Sequence, residues 1–130
     1  SITQFDDLDA ADNSVDMVTW IQGPHELGFA PDGNSLGDAA GAFREIARVL
    51  KSGGVLVASD HQAPAGAGLE AGGTLHRIEE SWVTEMAAAA GLSVAATSDL
   101  LKNSDDPLTD GVFAPSIRGN TSQFLVLYRK

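Results

Sequence analysis

Cysteine is missing altogether from this 130-residue chain. That excludes disulfides, thiolate metal ligands and a cysteine nucleophile. Basic residues are scarce: eight Lys and Arg stand against eighteen Asp and Glu, a net charge of −10. A chain so acidic has little with which to displace counterions from a nucleic-acid backbone. An anionic membrane surface would repel it for the same reason. The acidity serves solubility first. No apolar run approaches the roughly 20 residues of a membrane-spanning helix. No signal-type leader is visible either, so the expected location is cytoplasmic. Internal repeats and separate linkers are also absent. What is present is an ordinary share of hydrophobic residues, 43%, enough for a core. The length suits one domain, residues 1–130, and not two.

Val15 to Ile21 (VDMVTWI) is a short apolar run bounded by Asn13 and Ser14 before it and Gly23-Pro24 after it. Such runs are strands of the parallel, doubly covered kind. A loop rich in Gly, Pro and Asn follows to Gly37. The spacing then predicts a helix over 38–51. Ala39, Ala42, Phe43, Ile46, Val49 and Leu50 fall on one face at intervals of three and four. Asp38 suits the positive start of that helix and Lys51 its negative end, with Gly53-Gly54 as the stop. Val55 to Asp60 (VLVASD) is a second strand, so the first three elements form a parallel crossover unit. A loop rich in Gly and Ala leads to a second helix, Glu79 to Ala90, with Trp82, Val83, Met86 and Ala90 as its apolar stripe. Leu92 to Thr97 alternates like a half-exposed strand. After a long irregular loop, Phe124 to Tyr128 is the last strand.

In open α/β sheets, ligands bind beyond the carboxyl ends of parallel strands. The first strand runs out into Gln22, Gly23, Pro24, His25 and Glu26, and the second into Asp60, His61 and Gln62. These residues therefore share one rim, and His76 with Arg77 follows in the loop that starts there. Histidine near neutral pH can serve as a general base. A site of His and carboxylate ligands for a metal is the other chemistry open to the cluster. No His-x-x-x-His or other paired-ligand spacing supports it, and no metal is expected. A loop histidine is, on its own, most often a polar surface residue. Ser59-Asp60 is no nucleophile elbow, because the Gly-x-Ser-x-Gly pattern is absent. Gly66, Gly68, Gly72 and Gly73 do not open a helix directly after a strand, which argues against a phosphate cradle. They read instead as a flexible loop. Arg77 and Arg118 are isolated cations suited to an anionic group or to a nearby carboxylate.

Several stretches resemble a known family. Asn13-Ser14-Val15-Asp16-Met17-Val18 is similar to the fourth strand of class I S-adenosylmethionine-dependent methyltransferases. Phe43-Arg44-Glu45-Ile46 and Val49-Leu50-Lys51-Ser52-Gly53-Gly54-Val55-Leu56 resemble the next helix and strand, with Ser52 where proline is usual. Asp60-His61-Gln62-Ala63, Gly73-Thr74-Leu75-His76-Arg77-Ile78 and the tail Ser98-Asp99-Leu100-Leu101-Lys102-Asn103 resemble a bacterial group described only as predicted methyltransferases. Val112-Phe113 and Ile117-Arg118-Gly119 extend that likeness over nearly the whole chain.

The resemblance implies an α/β fold: part of a Rossmann-like sheet, mostly parallel, with an antiparallel C-terminal strand lying between its two C-terminal neighbours. It implies S-adenosylmethionine as cofactor and methyl transfer to a small-molecule acceptor. The family's glycine loop and ribose-binding carboxylate fall upstream of Ser1, and the position meeting the adenine falls at Ile2. The chain thus corresponds to the C-terminal, acceptor-side half. The candidate catalytic residues are His25, Asp60, His61, His76 and Arg77. Trp20, Gln22 and Gly23 would border the methionine end of the cofactor. The Val15–Ile21 strand, interior in that fold, is left here as an apolar edge. Such edges recruit another strand, so the expected partner is a second copy or the missing N-terminal half. Alternatively, residues 1–9 fold over that edge. The competing readings are a non-catalytic module that binds another chain and a small metal-dependent hydrolase.

Overall fold

The computed structural model describes residues 4–130. Four strands form one sheet in the order β1-β2-β4-β3. They are β1 (Val15–Ile21), β2 (Leu50–His61), β3 (Ser93–Ser98) and β4 (Gln123–Arg129). β1 and β2 are parallel, while β4 runs antiparallel to both β2 and β3. The last strand therefore sits between its two neighbours, as the resemblance implied, and three of the four strands share one direction. The helices are α1 (Ala39–Val49), α2 (Ala71–Thr74) and α3 (Glu80–Ala89).

Helix α1 begins where Asp38 accepts the Gly41 backbone N–H at 2.7 Å, an N-cap that satisfies one of the free donors of the first turn. Its buried face carries Ala42, Phe43, Ile46 and Val49. Of these, Phe43 and Ile46 pack with Val83 and Ala87 of α3 and with Leu56, Ala58, Phe124, Val126 and Tyr128 of the sheet. The Tyr128 hydroxyl meets the Thr84 hydroxyl at 2.8 Å and ties α3 to β4.

One boundary differs from the sequence reading. The helix ends at Val49, and β2 starts at Leu50 rather than at Val55. Gly53-Gly54 is not a helix stop. Gly53 takes a left-handed φ of 78° inside the strand, where the pairing with β1 slips between Val15 and Met17. An irregularity of that kind is where a strand tolerates glycine.

Both long helices lie on the same face of the sheet. Met17 and Ile21 of β1 project from the other face and are more than half exposed. Val57, Leu125 and Leu127 line a shallow apolar hollow there. Among the described residues β1 pairs only with β2. Phe5 and Leu8 do not add a strand to its free side. They pack on the helix-side face, against Val18, Trp20 and Ile46, and Phe5 stacks at 5.3 Å on Trp20. No described helix is long and apolar enough to cross a membrane.

Candidate functional site

The carboxyl ends of β1 and β2 open onto one rim. The chain leaves β1 through Gln22, at a left-handed φ of 51°, into a short helical turn over Pro24–Gly28. That turn seats against α2 at a distance only glycine allows. A Cβ on Gly72 would stand 2.1 Å from the His25 carbonyl oxygen, and one on Gly28 would stand 2.0 Å from that of Leu69. The glycines of this loop thus serve close approach, not only flexibility.

This contact brings distant residues together. The His25 ring lies 6.2 Å from that of His61 and 5.5 Å from that of His76. His76 is flanked by Phe29 at 5.5 Å and Phe113 at 5.3 Å. Its φ of 55° is an uncommon backbone state for a residue with a Cβ.

Asp60 is the fully buried hub of the rim. Its carboxylate accepts the backbone N–H of His25 at 2.7 Å and that of His61 at 2.8 Å. It also accepts Nδ1–H of His25 at 2.8 Å. The His25 tautomer is thereby set, and Nε2 is turned to Glu26 at 3.3 Å. Burial alone would lower the His25 pKa. The hydrogen bond and charge of Asp60, with Glu26 adding to them, outweigh it and hold His25 above the usual histidine value. His61 moves the other way. Burial pushes it down, and the positive charges of His25 and Arg77 reinforce that against the pull of Asp60 and Asp106. Neighbouring groups driven apart in this way are suited to opposite protonation roles.

His61 borders an open cleft of about 280 Å³ shared with Gln22, Val112, Phe113 and Arg118. Its Nδ1 lies 2.6 Å from the Thr121 hydroxyl; in the tautomer whose Nδ1–H donates to that hydroxyl, Nε2 keeps its lone pair. Thr121, which no spacing in the sequence links to His61, is thus part of the site.

Arg77 does not reach this cleft. It is fully buried and grips Asp106 through both terminal nitrogens, at 2.8 and 3.0 Å. It also donates to the Gln62 and Asp110 carbonyls, at 2.9 and 2.8 Å. Asp106 in turn accepts the backbone N–H groups of Leu108 and Ser122. Burial would raise the Asp106 pKa, but Arg77 and these donors lower it on balance. The pair ties the loop that carries Phe113 and Arg118 to the end of β2. Asp106 is the second residue of importance that sequence spacing did not reveal.

At the end of β1, Trp20 packs between Phe5 and Phe43. Gln22 reaches the Gln123 side chain at 3.4 Å. Gly23 lies flat against the Trp20 ring, which a Cβ would strike at 2.2 Å. These residues can border a cofactor, but they offer neither a glycine loop opening a helix nor a carboxylate for a ribose. Among the described residues, those at the end of β1 do not by themselves fit S-adenosylmethionine. Ile2, the position aligned with the adenine contact, lies outside the described residues.

Residues 2–58 match a family profile described as "Methyltransferase domain". No curated protein matches the chain. Among solved structures, a candidate sarcosine dimethylglycine methyltransferase from Galdieria sulphuraria is 21% identical, with a TM-score of 0.64 over 98% of this chain and 57% of that one. The complex between the Trm112 methyltransferase activator of Haloferax volcanii and a candidate methyltransferase gives 20% identity and a TM-score of 0.62, over 97% of this chain and 58% of that one. The [4+2]-cyclase SpnF gives 18% and 0.62, over 98% and 54%. The resemblance drawn from the sequence therefore holds at the level of the fold. The chain has the Rossmann-like fold of class I S-adenosylmethionine-dependent methyltransferases, and it spans between one half and three fifths of the length of these structures.

Proposed function

We propose that this chain supplies the acceptor side of an S-adenosylmethionine-dependent methyltransferase acting on a small molecule, and that it works when completed by a cofactor-binding half. The observation that carries the reading is the cleft beside His61, at the strand ends where α/β sheets place their ligands. The fold alone does not select the reaction, since unrelated chemistries share one fold. The cofactor, when bound, supplies an electrophilic methyl group. The residues of this chain then hold the acceptor and take its proton. His61, with a lowered pKa and its Nδ1–H given to Thr121, is the proton acceptor through Nε2. Arg118 faces the same cleft and suits an acceptor with an anionic group. Asp60, Arg77 and Thr121 position: Asp60 and Thr121 fix the histidine rings, and Arg77 holds the loop that walls the cleft. Orientation of this kind supplies much of the acceleration in group transfer.

The test is transfer of a labelled methyl group from S-adenosylmethionine to small-molecule acceptors, with this chain joined to a cofactor-binding half. His61→Ala should lower the rate by about 10²- to 10⁴-fold, the usual contribution of a general base. An unchanged rate in that variant would overturn the assignment.

A second reading has its own support. The uncovered sheet face around Met17, Ile21, Leu125 and Leu127 and the free side of β1 suit docking of another chain. In that reading the chain is a binding module without activity, and its partner is a second copy or the cofactor-binding half.

A further inference from the structure

We propose that His25, Glu26 and His76 form a binding site for one divalent transition-metal ion of the zinc class, next to the His61 cleft. Each residue offers one ligand atom, and the three atoms lie within 4.8 Å of one another. His25 Nε2 and Glu26 Oε1 are 3.3 Å apart. Two ligands held at about 2.0–2.1 Å on a tetrahedral ion are separated by roughly that distance.

Three features of the surroundings suit a ligand set. First, Asp60 takes Nδ1–H of His25. A carboxylate in that place fixes the tautomer and raises the basicity of the other nitrogen, as carboxylates behind metal-bound histidines do. Second, the His76 backbone is held at a left-handed φ of 55° with its ring edge-on to that of His25. Such a conformation is costly and persists only where the surroundings enforce it. Third, Gly28 and Gly72 permit the close seating that brings the turn carrying His25 and Glu26 against the segment leading to His76.

The donor set selects the class of ion. Two imidazoles with one carboxylate favour zinc, iron, nickel or copper, whereas magnesium and calcium prefer all-oxygen shells. Phe113 packs on His76 and also lines the cleft. An open coordination position on that side would hold an acceptor oxygen near His61 and ease its deprotonation. In this the inference deepens the reading of the cleft as an acceptor site and rests on it. The competing account is a plain ion pair between His25 and Glu26.

The experiment is calorimetric titration of the tag-free chain with Zn²⁺, paired with the visible absorption of bound Co²⁺. We expect one ion per chain, Co²⁺ bands of a low-symmetry nitrogen and oxygen site, and no displacement by excess Mg²⁺. Glu26 and His76 are both partly exposed, so Glu26→Gln and His76→Ala should keep the fold, checked by circular dichroism. Each should weaken Zn²⁺ binding by roughly 100-fold or more, at least the upper range seen for outer-shell partners. No stoichiometric binding by the folded chain, or binding that both variants leave intact, would overturn the proposal. Neither readout needs the methyl donor. A failed metal titration therefore leaves the methyl-transfer reading standing, and a failed transfer assay leaves the metal site to be judged on binding.

Discussion

Replacing Arg77 by methionine should cost more stability than any other single polar change in this chain. The guanidinium and the Asp106 carboxylate are both completely buried. The variant keeps most of the side-chain volume but leaves Asp106 charged and without its partner. Breaking a buried pair from one side costs about 3–5 kcal/mol, a large share of the roughly 5–15 kcal/mol that holds a domain together. The Gln62 and Asp110 carbonyls also lose a donor. Arg77→Lys keeps the charge but not the fork that spans two carboxylate oxygens and two carbonyls. It should cost roughly 1.5–3 kcal/mol, as for one lost charge-assisted hydrogen bond. The double variant Arg77→Met/Asp106→Leu removes both charges and should be more stable than Arg77→Met alone. Urea unfolding followed through Trp20 and Trp82 fluorescence measures all three. A loss below about 1 kcal/mol for Arg77→Met would refute the reasoning, because a buried charge left unpaired cannot be that cheap.

Further outcomes follow from the same geometry. Gly72→Ala should destabilise the chain by about 1–3 kcal/mol, the cost of overpacking, because its Cβ meets the His25 carbonyl. Amide shifts of residues 25–28 should move with it, and a variant with unchanged stability and shifts would contradict the close approach. Ser59 Oγ is buried with no hydrogen-bond partner among the described residues, so Ser59→Ala should be neutral or stabilising, within about 1 kcal/mol; a clear loss in urea unfolding would contradict this. Hydrogen bonds from Arg48 and the Leu8 N–H hold the Glu45 pKa down to about 2. A folded pKa below the unfolded one contributes stability that is complete above the unfolded value near 4.5 and is lost as the pH falls toward 2. Glu45→Gln should therefore flatten the acid limb of stability against pH, and an unaltered limb would count against the pairing. Light scattering should show self-association that rises with concentration and weakens in Met17→Lys, whereas a clean monomer at high concentration would count against the docking face.

The parts of the fold legible in sequence were those written in local pattern. The apolar run of β1 and the helical spacing from Ala39 to Val49 depend on near neighbours, and the structure places both there. The start of β2 was not legible. A Gly-Gly pair after a helix has the same composition whether it ends the helix or kinks a strand, and only the pairing with β1 distinguishes the two. The rim was legible in outline, because strand order alone carries His25 and His61 to one end of a parallel unit. Its finer partners were not. Arg77 finds Asp106, and His61 finds Thr121, across loops whose path is set by tertiary packing. The role of Gly72 was hidden for the same reason, since nothing local shows which backbone will come against it.

On the proposed reading, this chain carries the acceptor side of a methyltransferase site and not its cofactor side. Calorimetry with S-adenosylhomocysteine, on the chain alone and on the chain joined to a cofactor-binding half, tests it most directly. We expect no measurable binding by the chain alone and micromolar binding once the glycine loop and the ribose carboxylate are supplied. Micromolar binding by the isolated chain would contradict it.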